Sequence, residues 1–134
     1  MKTTKRTTKP LSTSVPRSHS GRFTDLELDK LRGGYYTSSE VAAWLCAWAI
    51  RSPKDRVLEP SCGNGAFLEA AAKRYAELGA RRPTIANHLV GIEILATEAA
   101  RARVKLNGLL GSRARDVVET ADFFGWFQQN KQPP

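Results

Sequence analysis

The sequence is short of several things, and each shortage excludes a class. No apolar run approaches the roughly 20 residues that cross a bilayer, and no apolar segment of secretory-signal type follows the basic start. Only two cysteines occur, Cys46 and Cys62, neither with a CxxC partner or a nearby histidine, which argues against a zinc site. They read as reduced thiols of a cytoplasmic protein. Acid is missing from residues 1–22, which hold Lys2, Lys5, Arg6, Lys9, Arg17 and Arg22 and supply six of the eight net positive charges. The basicity therefore belongs to a Thr/Ser/Lys-rich tail and not to a face of the folded part. Residues 1–22 lack hydrophobic periodicity and are expected to be disordered. An organellar transit peptide has a loosely similar make-up. A solvated tail that touches nucleic acid non-specifically is the preferred reading.

What remains, residues 23–134, is one domain's worth of chain or less, with 41% hydrophobic residues overall to build a core. Thr37-Ser38-Ser39-Glu40 has capping-box spacing and should start a helix with Thr37 as its cap. In the following VAAWLCAWAI, Val41, Leu45 and Trp48 fall on one stripe with Trp44 beside it, and Pro53 follows the end. DRVLEP reads as a short buried strand ending at Glu59 and Pro60. Ser61–Gly65 then opens a helix with Phe67, Ala71, Tyr75 and Leu78 on one side, stopped by Gly79. HLVGIEI, 88–94, reads as a second strand. ATEAARARVKLNG, 95–108, reads as a helix ending at Asn107-Gly108. A third strand is expected around residues 114–118, and FGWFQQNK suits a further helical turn. No internal repeat is visible. Alternating strands and helices imply parallel strands with right-handed crossovers, which is half of a Rossmann-like, doubly wound α/β sheet. Ligands in such sheets gather at the carboxyl ends of the strands, where Glu59, the glycine loop, Glu93 and Asp122 all fall.

The loop Ser61-Cys62-Gly63-Asn64-Gly65 lacks the third glycine of a dinucleotide fingerprint, and the acid Glu93 comes late for one. Glu59 would repel phosphates. It would welcome a cofactor with an ammonium and a sulfonium and no phosphate, such as S-adenosyl-L-methionine. A nicotinamide nucleotide is disfavoured on the same grounds. Glu93 at a strand end can accept both ribose hydroxyls; the plainer alternative is a solvated acid. Asp122 with Phe123 can take an adenine amine and ring, or can be a helix N-cap followed by a core phenylalanine. The start of the helix at Thr37 presents unsatisfied N–H groups that suit a carboxylate.

With these residues in view, the chain resembles the amino-terminal, cofactor-binding part of the adenine-specific DNA methyltransferases of restriction-modification and related phage-defence systems. Gly34-Tyr35-Tyr36-Thr37-Ser38 is similar to that family's GxYYTP, with Ser38 in place of proline. LEPSCGNGAFL, 58–68, looks like its cofactor motif nearly letter for letter. GIEI, 91–94, and ADFF, 121–124, resemble its ribose and adenine segments. The likeness covers about residues 30–127. It implies that Tyr36 and Thr37 flank the methionine end of the cofactor and that Glu59, Pro60, Ser61, Gly63 and Gly65 hold the amino acid portion. Glu93 and Ile94 would take the ribose, and Asp122 and Phe123 the adenine. The family's chemistry rests on an Asn-Pro-Pro-aromatic motif that binds a flipped-out adenine. Gln132-Pro133-Pro134 lacks both the asparagine and the aromatic residue. The resemblance thus implies no catalytic residue here, DNA as the partner of the whole enzyme, and a carboxyl-terminal catalytic and target-recognition portion or partner chain. Related enzymes acting on RNA or protein amides, and a non-catalytic remnant that keeps the cofactor, remain alternatives.

Overall fold

The computed structural model describes residues 36–130. The expected disordered tail, the Gly34-Tyr35 portion of the tyrosine motif and the Gln132-Pro133-Pro134 segment lie outside the described residues.

Among the described residues, seven helices of α or 3₁₀ type and three strands follow in order: helix α1 (Ser39–Ala49), strand β1 (Val57–Glu59), α2 (Ala66–Glu77), α3 (Arg82–His88), β2 (Leu89–Glu93), α4 (Ala96–Leu110), a 3₁₀ turn (Gly111–Arg113), α5 (Ala114–Val117), β3 (Val118–Thr120) and α6 (Phe123–Asn130). The strands form one parallel sheet in the order β1-β2-β3, with Leu58 opposite Val90 and Gly91 opposite Val118. A mixed α/β architecture with a small parallel sheet and flanking helices is therefore established.

Helix α1 begins one residue later than the capping box suggests. Ser38, not Thr37, is the N-cap, and its hydroxyl accepts from the Val41 N–H at 3.4 Å. Its inward stripe is also different. Ala42, Cys46 and Ile50 are buried, whereas Val41, Trp44 and Trp48 are exposed and Leu45 is half-buried. The helix is apolar all round, so 3.6-residue spacing fits either face equally well. Small side chains win the inner face because they let α1 approach α2 closely, with the Cys46 Sγ 3.8 Å from the Phe67 carbonyl oxygen. Arg74 of α2 donates to the Ile50 carbonyl at 3.1 Å and ties down the end of α1.

Helix α2 ends as its glycine predicts. Gly79 takes a φ of +85°, and the Gly79 and Ala80 N–H groups return to the carbonyls of Ala76 and Tyr75 at 3.0 and 2.9 Å. This is a Schellman closure. Tyr75 is fully buried, and its hydroxyl is satisfied by the Asp55 carbonyl at 2.6 Å. Helix α3 has no counterpart in the sequence reading, although Pro83 in its first turn is a start signal. Helix α4 runs through Gly108 because Leu106 and Leu110 continue the inner stripe of Ala99 and Ala102. Gly111, with φ +62°, stops it instead.

The third strand is displaced from the expected 114–118. Ala114 and Val117 are buried at helical spacing while Arg115 and Asp116 face solvent, so this stretch closes as a turn of helix. Pairing starts only at Val118. In the sheet, Gly91 faces the helices, since a Cβ there would lie 2.5 Å from Leu68. Side chains alternate along a strand, which puts Leu58 and Val90 on the other face, where Leu58 remains 44% exposed. Among the described residues, β1 pairs on one side only.

Candidate functional site

The carboxyl ends of β1 and β2 are joined by the glycine loop itself. Past Glu59, the Cys62 N–H donates to the Ile92 carbonyl at 2.9 Å, which prolongs the β1–β2 ladder into the loop. The chain then reverses at Gly63 (φ +50°) and Gly65 (φ +84°), and Gly65 is the residue from which α2 springs. Both conformations favour glycine. Only at Gly65 is space also limiting: a Cβ there would lie 2.9 Å from that of Ala102 on α4. Over Gly63 a Cβ would meet nothing within 4 Å, so the outer side of the loop is open.

Glu93 is the best-held member of the site. It is only 6% exposed, and each carboxylate oxygen accepts one backbone N–H: Oε2 from Gly63 and Oε1 from Leu95, both at 2.8 Å. The residue therefore braces the loop against the end of β2. A carboxylate has about four acceptor sites, so each oxygen keeps capacity for one more donor. The Glu93 carbonyl also accepts from the Ala121 N–H at 3.0 Å, which brings the segment before Asp122 to the same strand end.

Glu59 is half-buried. Burial raises its carboxyl above the ordinary range, opposed in part by a hydrogen bond from the Ser61 backbone. Cys62 stands close to both acids. Burial first, then the charges of Glu93 and Glu59, push its thiol up to about 12. A thiol held neutral in this way is no nucleophile. Both cysteines are unpaired by any disulfide. Among the described residues, no group of three or more His, Cys, Asp or Glu is arranged to hold a metal ion.

The remaining expected residues fall around this centre. Tyr36 is exposed, and its hydroxyl donates to Glu98 in the first turn of α4 at 3.2 Å, 62 residues away. Thr37 is half-buried and lines a groove with Asn64 of the loop. Pro60, Ser61 and Ile94 are exposed at the strand ends. Asp122 acts as a helix cap: its Oδ2 accepts from the Gly125 N–H at 2.8 Å, and α6 follows. Phe123 is half-buried within an aromatic group, 5.6 Å from Phe124, 6.3 Å from Trp126 and 5.9 Å from Phe127 between ring centroids. Glu59, the loop, Glu93 and residues 121–123 thus share one edge of the sheet. Glu98, the partner of Tyr36, was not among the sequence candidates; an acid in the first turn after a strand was its one available signal.

No family model, curated protein or solved structure matches the chain.

Proposed function

We propose that residues 36–130 hold S-adenosyl-L-methionine, as the cofactor-binding part of a DNA methyltransferase that modifies the exocyclic amine of adenine. The observation that carries this reading is the pair of carboxylates, Glu59 and Glu93, on either side of a glycine loop whose outer side is open. The sequence resemblance of LEPSCGNGAFL supplies the choice of methyl donor. In this reading the sheet is half of a doubly wound, Rossmann-like domain of a cytoplasmic protein. Among the described residues no helix is long and apolar enough to cross a membrane.

The residues fit the cofactor's chemistry. Glu59 offers a negative charge to an ammonium or sulfonium, and its incomplete solvation strengthens that attraction. Glu93 fixes the loop with two acceptor sites and keeps two for ribose hydroxyls. Phe123 and its aromatic neighbours give an adenine a surface to pack on. Thr37, near Asn64 of the loop, is the residue that the resemblance gives to the amino acid end. When bound, the cofactor supplies an electrophilic methyl group; this chain's part is to position it. The acceptor adenine would be held by an Asn-Pro-Pro-aromatic segment, which the 134 residues do not contain. A second reading is a module that keeps the cofactor without catalysing transfer.

The test is calorimetric titration of S-adenosylmethionine into the chain and into Glu59→Ala and Glu93→Ala. Binding by the parent and at least tenfold weaker binding by both variants is expected, on the scale of one lost charge-assisted contact. A parent chain that binds NADH in preference would overturn the proposal. Methylation of DNA by the purified chain alone would refute both readings, since neither gives these residues a site for the acceptor adenine.

A further inference from the structure

The glycine loop also borders a second concavity, of opposite charge. A groove of about 130 Å³ is lined by Thr37 and Ser39 at the start of α1, Asn64 of the loop, Glu69 and Lys73 of α2, and Lys105 of α4. Neither Glu59 nor Glu93 is among its walls. Lys73 is bonded to Glu69 at 2.7 Å. Lys105 is half-buried, and it donates to the neutral Asn64 Oδ1 at 3.4 Å, a long contact. Among the described residues no carboxylate lies within ion-pair distance of Lys105. A partly desolvated ammonium without a counter-charge is costly, and it stands in a groove that a second lysine also lines.

We propose that this groove seats one phosphate group, with Lys105 as its principal ligand. Lys73 is the second, exchanging part of its contact with Glu69 for the anion. The start of α1 at Ser39 borders the groove and adds the positive end of its dipole. The groove has room for a tetrahedral oxyanion and its hydration. Two lysines stand against one glutamate among the lining side chains, and Glu40, which Ser38 and Ser39 hold, is not among the walls. The loop therefore divides two fields, with carboxylates at the strand ends and ammonium groups on the helix side.

The chain is titrated with inorganic phosphate against chloride at constant ionic strength, with backbone amide NMR signals of Ser39, Asn64 and Ala66 as the readout. Saturable shifts confined to these amides are expected. Lys105→Gln should weaken the fitted constant roughly tenfold, the scale of one charge-assisted hydrogen bond, and Lys105→Arg should keep most of it. Unchanged spectra away from the groove establish that the variants fold. A short DNA duplex added to the phosphate-saturated chain distinguishes the source: displacement assigns the groove to a nucleic-acid backbone, and persistence assigns it to a free phosphate or small phosphate ester. Either result supports the seat. Absence of saturable shifts, or the same constant in Lys105→Gln as in the parent, overturns it.

Discussion

The Glu93 carboxylate accepts the Gly63 N–H at 2.8 Å across 30 residues of sequence, while its other oxygen accepts the Leu95 N–H at the same distance. One side chain thereby locks the loop to the strand end that it must face. Glu93→Ala leaves two backbone donors without their acceptor, at a cost of about 2–4 kcal/mol. Glu93→Gln keeps one acceptor oxygen and should lose less. Urea unfolding of the three proteins gives the order directly; equal midpoints for parent and alanine variant would show that the brace carries no stability.

Glu59 makes the opposite trade. Its carboxyl is raised by burial, so the folded chain holds that proton to higher pH than the unfolded chain does. The sign follows by linkage: the charged form costs stability as pH climbs from below the ordinary carboxylate range through the raised value. Glu59→Gln should therefore be more stable than the parent at neutral pH and indistinguishable from it in acid. The same variant should lose affinity for the cationic cofactor. A neutral-pH midpoint lower in the glutamine variant would mean that Glu59 has a stabilising partner in the folded state.

Two glycines of the loop should respond differently to alanine. At Gly65 the left-handed backbone and the 2.9 Å approach to the Ala102 Cβ act together, so Gly65→Ala should cost roughly 2–4 kcal/mol. At Gly63 the backbone is left-handed but the space is open, and the cost should stay near 1 kcal/mol. Thermal melts of the two variants test the difference; the reverse order would mean that α2 and α4 are not in the contact described.

The sequence carries the order of the main strands and helices and the strand-end position of Glu59, Glu93 and Asp122, because apolar runs and glycine punctuation report local geometry. It does not reveal which face of α1 is buried, because VAAWLCAWAI has no polar side to decide it. Nor does it place β3, where the buried Val117 and Val118 adjoin and helix passes directly into strand. The Glu93 brace and the Tyr36–Glu98 contact join residues 30 and 62 positions apart, and no spacing rule reaches that far. A consequence for α1 is measurable. Trp44 and Trp48 are 68% and 65% exposed, so Trp44→Gln and Trp48→Gln should each change stability by no more than about 0.5 kcal/mol. Truncation of a buried tryptophan costs about 3–5 kcal/mol, and a loss of that size at either position would return the larger side chains to the inner face.

Strand β1 has β2 on one side and, among the described residues, no strand on the other. Parallel sheets are ordinarily sheltered on both faces, yet Leu58 in the middle of β1 is 44% exposed. An apolar edge of this kind is a template for another strand, which is the physical ground for expecting a partner segment beside it. In the absence of such a segment, the purified chain should self-associate as its concentration rises. Leu58→Lys places a charge on that strand and should shift sedimentation toward monomer, with a modest fall in the unfolding midpoint because more than half of Leu58 is buried. Sedimentation velocity across a concentration series distinguishes the cases: if both proteins remain monomeric throughout, the β1 edge is not the adhesive surface that its composition indicates.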